Sequence, residues 1–380
     1  MEPMLVSLVL VLATAHITDE PFSSGPFAGW KSVGPAAFVM DGQTLIGRGG
    51  ESVNSFLVSP QSYADFELEV DLNIKPGGNS GIQIRSEVTE DGRAVSGYQI
   101  EVDTSERRWS GGVYGERFGG WRHNVEGRPK AQAAFRNGAW NTYRIVCEGP
   151  RIRSWVNGVP VADYLDADRI EGVIALQVHS GSCDIEWKNL NITDRGRHEW
   201  RPLDFTKDFA PRGGGTWKSS PKRTRGTQVK SNPEYGLLFS TKPWQDFVLS
   251  VDCEWTAGNS GVYFRAKAGG FSGITGIQCE VDGRPGRRAA GLYETNGRGW
   301  VYPTSGEGWP HDFKPGANRY EIHCVGDLVA VDFNGQRALQ LRDPALGTEG
   351  HFAFQLHGSE DVDLVFANPK VLVKATPGPS

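Results

Sequence analysis

The sequence predicts an all-β protein made of two tandem jelly-roll β-sandwiches. Short runs of alternating polar and apolar residues fill the chain, separated by Gly, Pro and Asn-Gly turns, and no amphipathic helix of three turns interrupts them. The chain also repeats itself: YADFELEVDLNIKPGGNSGIQIRS (63–86) matches WQDFVLSVDCEWTAGNSGVYFRA (244–266), and GYQIEVD (97–103) matches GIQCEVD (276–282). Each copy spans about 170 residues, enough for many short antiparallel strands closed into a sandwich with its own core.

The elements follow in chain order. Residues 1–15, MEPMLVSLVLVLATA, read as a signal peptide: an apolar run from Leu5 to Leu12 ends in a small-x-small site, which predicts export. The run is too short for a membrane span, which needs ~20 apolar residues. The first domain is expected over 22–193. Its strands are FELEVDLNI (66–74), GIQIRSE (81–87), YQIEVD (98–103), TYRIVCEG (142–149), IRSWVNG (152–158), VIALQVHSG (173–181) and CDIEWKNLNI (183–192). Asn157-Gly158 marks a hairpin, because both central positions of a type I′ turn need positive φ. The polar segment 194–202 reads as a linker, and 203–374 as the second domain with its own Asn334-Gly335 hairpin. GGVYGE (111–116), YRIVC (143–147) and EGVIALQVHSG (171–181) return as AGLYET (290–295), YEIHC (320–324) and EGHFAFQLHGS (349–359). The offset between copies stays near 179 throughout, so each unit is a whole domain.

A net charge of −5 without a basic cluster argues against nucleic-acid partners and against docking on anionic membranes. The five cysteines form no CxxC or zinc spacing and read as small core residues.

Parity along the strands separates an apolar face from a chemically rich one. Asn79, Gln83 and Arg85 share a face, as do Gln99, Glu101 and Asp103, and Gln177 with His179. The second copy offers Asn259 and Arg265, then Glu280 and Asp282, then His357. Amides, paired carboxylates, Arg and His suit sugar hydroxyls, which need donors and acceptors in fixed directions. Tyr114 and Trp121, like Tyr293 and Trp300, supply flat rings for pyranose faces, and His123 lies in the same loop region. The alternative is an ion-pair network that stiffens the sheet, with His179 an ordinary hydrogen-bonded histidine.

The string Glu101, Asp103, Glu106 resembles the catalytic strand of family-16 glycoside hydrolases, which share the concanavalin A-like jelly roll; that resemblance implies Glu101 as nucleophile and Glu106 as acid/base. The order DFELEV, NSGIQIR, GYQIEVD, GGVYG, NTYRI, VNG, ALQVH, present in both copies, resembles the 3-keto-disaccharide hydrolase domain family over nearly the whole chain. The family's usual string is close to G-Y-E-x-Q-x-x-D, and here Gln99 and Glu101 exchange places. The resemblance implies cleavage of 3-keto-glycosides by proton abstraction at C2, loss of the C1 group and hydration. His179 is then expected as base, Glu101 or Asp103 as acid, and Arg85 as donor to the enolate oxygen. A divalent cation on Glu101, Asp103 and His179 is the alternative electrophile, and no other cofactor is expected. Oxidation at C3 would fall to a separate sugar 3-dehydrogenase. The competing functional reading is a non-catalytic, lectin-like tandem carbohydrate-binding module.

Overall fold

Alternation of apolar and polar side chains gives each repeat two antiparallel sheets that bury their apolar faces against each other. The computed structural model describes residues 24–49, 52–181, 183–305 and 309–376, so the expected signal peptide lies outside the described residues. In the first domain one sheet runs Lys31–Val33, Ser55–Tyr63, Gly172–Val178, Asn79–Val88, Val95–Asp103, Val113–Glu116, Gly120–His123. The other runs Val159–Leu165, Arg151–Val156, Asn141–Glu148, Asp65–Ile74, Asp184–Gly196, Thr44–Arg48, Ala37–Asp41. The second domain repeats both orders, with Ser260–Ala268 and Ile274–Val281 at the positions of Asn79–Val88 and Val95–Asp103. Neighbours far apart in sequence, such as Ser55–Tyr63 beside Gly172–Val178, are the crossovers of a jelly roll.

Both sheets feed one core per domain, around Phe66, Ile100, Tyr143 and Trp187 in the first and around Phe247, Cys279, Tyr320 and Phe354 in the second. All five cysteines are buried and unpaired, as expected of core residues. Among the described residues the one helix is Pro129–Gln132, and none is long and apolar enough to cross a membrane. The hairpin residues adopt the anticipated conformation, with φ of 51° and 77° at Asn157-Gly158 and 55° and 79° at Asn334-Gly335.

The segment expected as a linker is mostly strand. Asp184–Gly196 runs to the end of the first domain, and His198–Pro202 pairs with Val362–Lys374 of the second, so only Arg197 lies between them. The domains also touch directly. Arg337 donates to the Leu165 carbonyl at 2.6 Å, Leu165 N–H donates to Gln340 Oε1 at 3.0 Å, and Leu165 packs on Leu328 and Ala330.

One core contact prepares the site. The buried Tyr143 hydroxyl donates to the Glu101 carbonyl at 3.2 Å, and Tyr320 does the same to Glu280 at 3.1 Å. Tyr143→Phe is expected to cost about 1 kcal/mol, read as a lower urea midpoint at unchanged m-value.

Candidate active site

Tyr98, Ile100 and Val102 of Val95–Asp103 enter the core, which turns Gln99, Glu101 and Asp103 to the opposite face. That face is not solvated: Gln99, Glu101 and Asp103 are only 2%, 4% and 3% exposed. Burying polar groups is costly unless each finds a partner, and here a continuous relay supplies them. Ser86 Oγ donates to Gln83 Oε1 (3.2 Å), Gln83 Nε2 to Gln99 Oε1 (2.5 Å), and Gln99 Nε2 to Glu101 Oε2 (2.9 Å). Asn79 Nδ2 donates to Glu101 Oε1 at 2.9 Å. Gly81 makes room for this chain, because a Cβ there would lie 2.2 Å from Gln99 Cδ. Gly81→Ala is expected to displace Gln99 and break the relay, read as a lower melting temperature.

The carboxylates next to one another are tuned apart. Burial raises the Glu101 carboxyl above its ordinary value, against the hydrogen bonds from Asn79 and Gln99. For Asp103 burial is outweighed by hydrogen bonds from Ser105, the Trp109 amide and Arg107, which hold it below its ordinary value. Arg107 bridges the two, with Nε 2.9 Å from Asp103 Oδ2 and a terminal nitrogen 3.3 Å from Glu101 Oε1. Its guanidinium lies 4.8 Å and 5.0 Å from the ring centroids of Trp109 and Trp121.

These groups open into a cleft of about 650 Å³, lined also by Asn54, Asn79, Tyr114, Glu116, Trp121 and His179. The Nδ1 of His179 lies 3.0 Å from the Ser180 carbonyl. A carbonyl only accepts, so Nδ1 carries the proton and Nε2 the lone pair. Among the described residues Nε2 makes no hydrogen bond. Beyond an Asn54–Glu116 hydrogen bond of 3.3 Å a second cleft of about 940 Å³ adjoins the first, bordered by Glu90, Asp91, Arg93 and Arg117.

The structure thus brings together Glu101, Asp103, His179, Asn79, Gln99, Tyr114 and Trp121. Gln83 and Gln177 lie fully buried behind them, Gln83 in the relay and Gln177 with Nε2 3.5 Å from Glu116. Four residues singled out in the sequence are placed elsewhere. Arg85 does not reach the cleft: a bulge between Ile84 and Glu87 places it at φ 45°, and the parity argument fails there. Its side chain is wholly buried and donates to the Ala64 carbonyl (2.9 Å), the Gly149 carbonyl (2.6 Å) and Asp65 (3.4 Å). Arg265, at φ 47°, is likewise bound to Gln245, Gly326 and Asp246. His123 stacks on Tyr164, and burial with the nearby Arg128 lowers it to about 4; it is not a cleft residue. Glu106 is exposed and outside the cleft.

Arg107, Asn54 and Glu116 are cleft residues that parity reasoning missed, because they sit at strand ends and in a turn. The recurrence of Arg284 and Arg287 after Asp282 was the available signal for Arg107. A cation held jointly by Glu101, Asp103 and His179 does not fit. Arg107 already occupies the space between the two carboxylates. The three residues' ligand atoms are not gathered within 4.8 Å, the one such group among the described residues being Glu321, His323 and Asp332 in the second domain.

The second domain rebuilds the relay with Asn259 and Gln278 on Glu280, Gln278 Nε2 lying 2.8 Å from it, and with Arg284 on Asp282 at 2.5 Å. Burial pushes Glu280 up to about 7. A carboxyl with a raised folded-state value binds its proton more tightly than the unfolded chain does. The stability it contributes is therefore full below 4.5 and lost as pH rises through about 7. Glu280→Gln is expected to flatten that fall and raise the melting temperature at alkaline pH, followed by calorimetry across the range.

Three solved structures are similar to one domain's length of this chain. A carbohydrate-binding module CBM66 from Bacillus subtilis is 21% identical, with 44% of this chain and 96% of that one covered and a TM-score of 0.36. A putative glycosyl hydrolase from Parabacteroides distasonis is 19% identical over 43% and 98%, with a TM-score of 0.32. A Bacillus subtilis protein with a galectin-like fold is 15% identical over 47% and 96%, with a TM-score of 0.35. No curated protein matches the chain. The family model of the 3-keto-alpha-glucoside-1,2-lyase-like domain matches twice, over residues 22–193 and 200–371, and on that double match this two-domain chain belongs to that family.

Proposed function

We propose that the first-domain cleft cleaves 3-keto-glycosides, with 3-keto-α-glucosides and 3-keto-disaccharides as the substrate class, by elimination across C1 and C2. A carbohydrate-active role follows from the family; the observation that carries the specific reading is Glu101, a buried carboxyl raised by its surroundings, in one cleft with an imidazole whose basic nitrogen is free. A ketone at C3 acidifies the C2 proton, since the carbanion is an enolate. His179 Nε2 takes that proton, and the electron pair moves into the C2–C3 enolate, whose oxygen accepts from the Arg107 guanidinium. The enolate then collapses to a C1–C2 double bond, the C1–O bond breaks, and Glu101 protonates the leaving oxygen. Water adding across that double bond completes net hydrolysis. Asp103, held ionised, fixes Arg107 in place of a proton donor. The adjoining cleft past Asn54 and Glu116 has room for a polar leaving group. The substrate must be supplied by an enzyme that oxidises the sugar at C3, and the amino-terminal segment is consistent with export.

The test uses p-nitrophenyl 3-keto-α-glucoside, which releases coloured nitrophenolate, with p-nitrophenyl α-glucoside as control. Release from the keto form alone is expected. Release from both would point to ordinary hydrolysis, and release from neither would overturn the proposal.

A further inference from the structure

The two copies differ at the one nitrogen the chemistry needs. Ser55 pairs with Val178 and Gly236 with Leu356, so Tyr235 stands in the second domain where Asn54 stands in the first. His357 repeats the arrangement of His179, with Nδ1 2.7 Å from the Gly358 carbonyl, which again leaves the lone pair on Nε2. In this copy the Tyr235 hydroxyl is 2.9 Å from that Nε2 and donates to it, and the two rings lie 4.7 Å apart. The basic nitrogen is capped. Glu116 is also replaced, by Thr295, whose hydroxyl pairs with Tyr263 at 2.7 Å.

The turn beside Tyr235 differs as well. Where the first copy has the charged turn Glu90, Asp91, Arg93, the second has GGFSG (269–273), and Phe271 at its tip is 88% exposed. The turn is held: Gly269 N–H donates to the Gly273 carbonyl (3.1 Å), and Asn296 Nδ2 donates to Ser272 Oγ (3.0 Å) and the Ile274 carbonyl (2.9 Å). Phe271 is therefore presented on a fixed support, edge-on to Tyr235 with ring centroids 6.3 Å apart. From there a chain of contacts runs inward, Tyr235 to His357, the His357 N–H to the Asn259 carbonyl at 3.3 Å, and Asn259 to Glu280. Two aromatic rings set edge-on to one another, linked through His357 to a directional set of amides and carboxylates, offer the apolar faces and the hydrogen-bonding groups that a sugar ring requires.

We propose that the matching polar face of the second domain binds a glycosyl unit without cleaving it, holding the sugar against Phe271 and Tyr235 and seating its hydroxyls on Asn259, Gln278 and Glu280. The proposal rests on the carbohydrate reading of the first cleft, and gives the tandem chain one cleaving domain and one anchoring domain.

The full chain carrying Glu101→Gln is titrated calorimetrically with p-nitrophenyl 3-keto-α-glucoside. Two sites are expected, with turnover lost. Adding Phe271→Ala, a truncation of an exposed side chain that leaves the fold intact, should weaken one of the two sites by about tenfold or more. A single site indifferent to Phe271→Ala overturns the proposal. So does nitrophenolate release by the Glu101→Gln chain that a further Glu280→Gln abolishes, which would make the second domain catalytic. A change in self-association on Phe271→Ala at unchanged sugar stoichiometry overturns it too, marking a protein contact instead. If the wild-type chain releases no nitrophenolate yet keeps the Phe271-dependent site, cleavage in the first domain fails and this inference stands.

Discussion

Glu101→Gln is expected to lower kcat on a 3-keto-glycoside by about 10²–10⁴-fold while the domain stays folded. Glutamine is nearly isosteric and keeps one carbonyl oxygen for Asn79, while its NH2 faces Gln99, whose amide must flip to accept it. What disappears is the proton for the leaving oxygen. The pH profile adds an independent check. Burial raises Glu101, so the acid form persists above the ordinary carboxylate range and is lost only at higher pH. Turnover should therefore fall on the alkaline side as Glu101 ionises. Loss of Arg107 removes the nearest positive charge from Glu101, so Arg107→Ala should move the alkaline limb upward while lowering kcat. A Glu101→Gln chain with wild-type turnover would remove the carboxyl from the chemistry altogether.

Arg85→Ala is expected to destabilise the first domain by about 3–5 kcal/mol, and Arg85→Lys should not rescue it. The guanidinium is wholly buried, satisfies two backbone carbonyls and faces Asp65, itself 1% exposed. Arg85 uses three separate nitrogens, and a lysine's three donors radiate from a single atom that cannot match that spread. Removing Arg85 leaves the Asp65 carboxylate to the Gly149 amide at 2.9 Å and His198 at 2.6 Å, and leaves two buried carbonyls with fewer donors. Since His198 begins the strand that enters the second domain, the damage should reach the junction. Arg265→Ala should cost less, because its partner Asp246 is 56% exposed and is solvated when left alone. Denaturant midpoints of the three variants test the ranking. An Arg85→Lys protein of normal stability but lost turnover would restore Arg85 to the catalytic role the sequence suggested.

Much of the molecule was legible in the amino-acid sequence alone. The duplication, the strands and the two Asn-Gly hairpins rest on spacing within short windows. Parity placed Gln99, Glu101 and Asp103 together because strand Val95–Asp103 keeps a regular two-residue period from end to end. The same reasoning failed at Arg85, one strand away, because a bulge breaks the period there and sends the side chain into the protein. His123 was misread for a related reason: proximity to Trp121 in sequence says nothing about which side of a short strand packs on Tyr164.

The sequence by itself therefore determined the all-β class, the two domains and the polar strand face, all properties of local backbone geometry repeated along the chain. Only the tertiary structure decided that this face is buried, that Arg107 rather than Arg85 is the cation beside Glu101, and that Tyr235 covers His357 while His179 stays open. Each of those depends on register between strands distant in sequence and on where loops close over them. No pattern within a single strand encodes that.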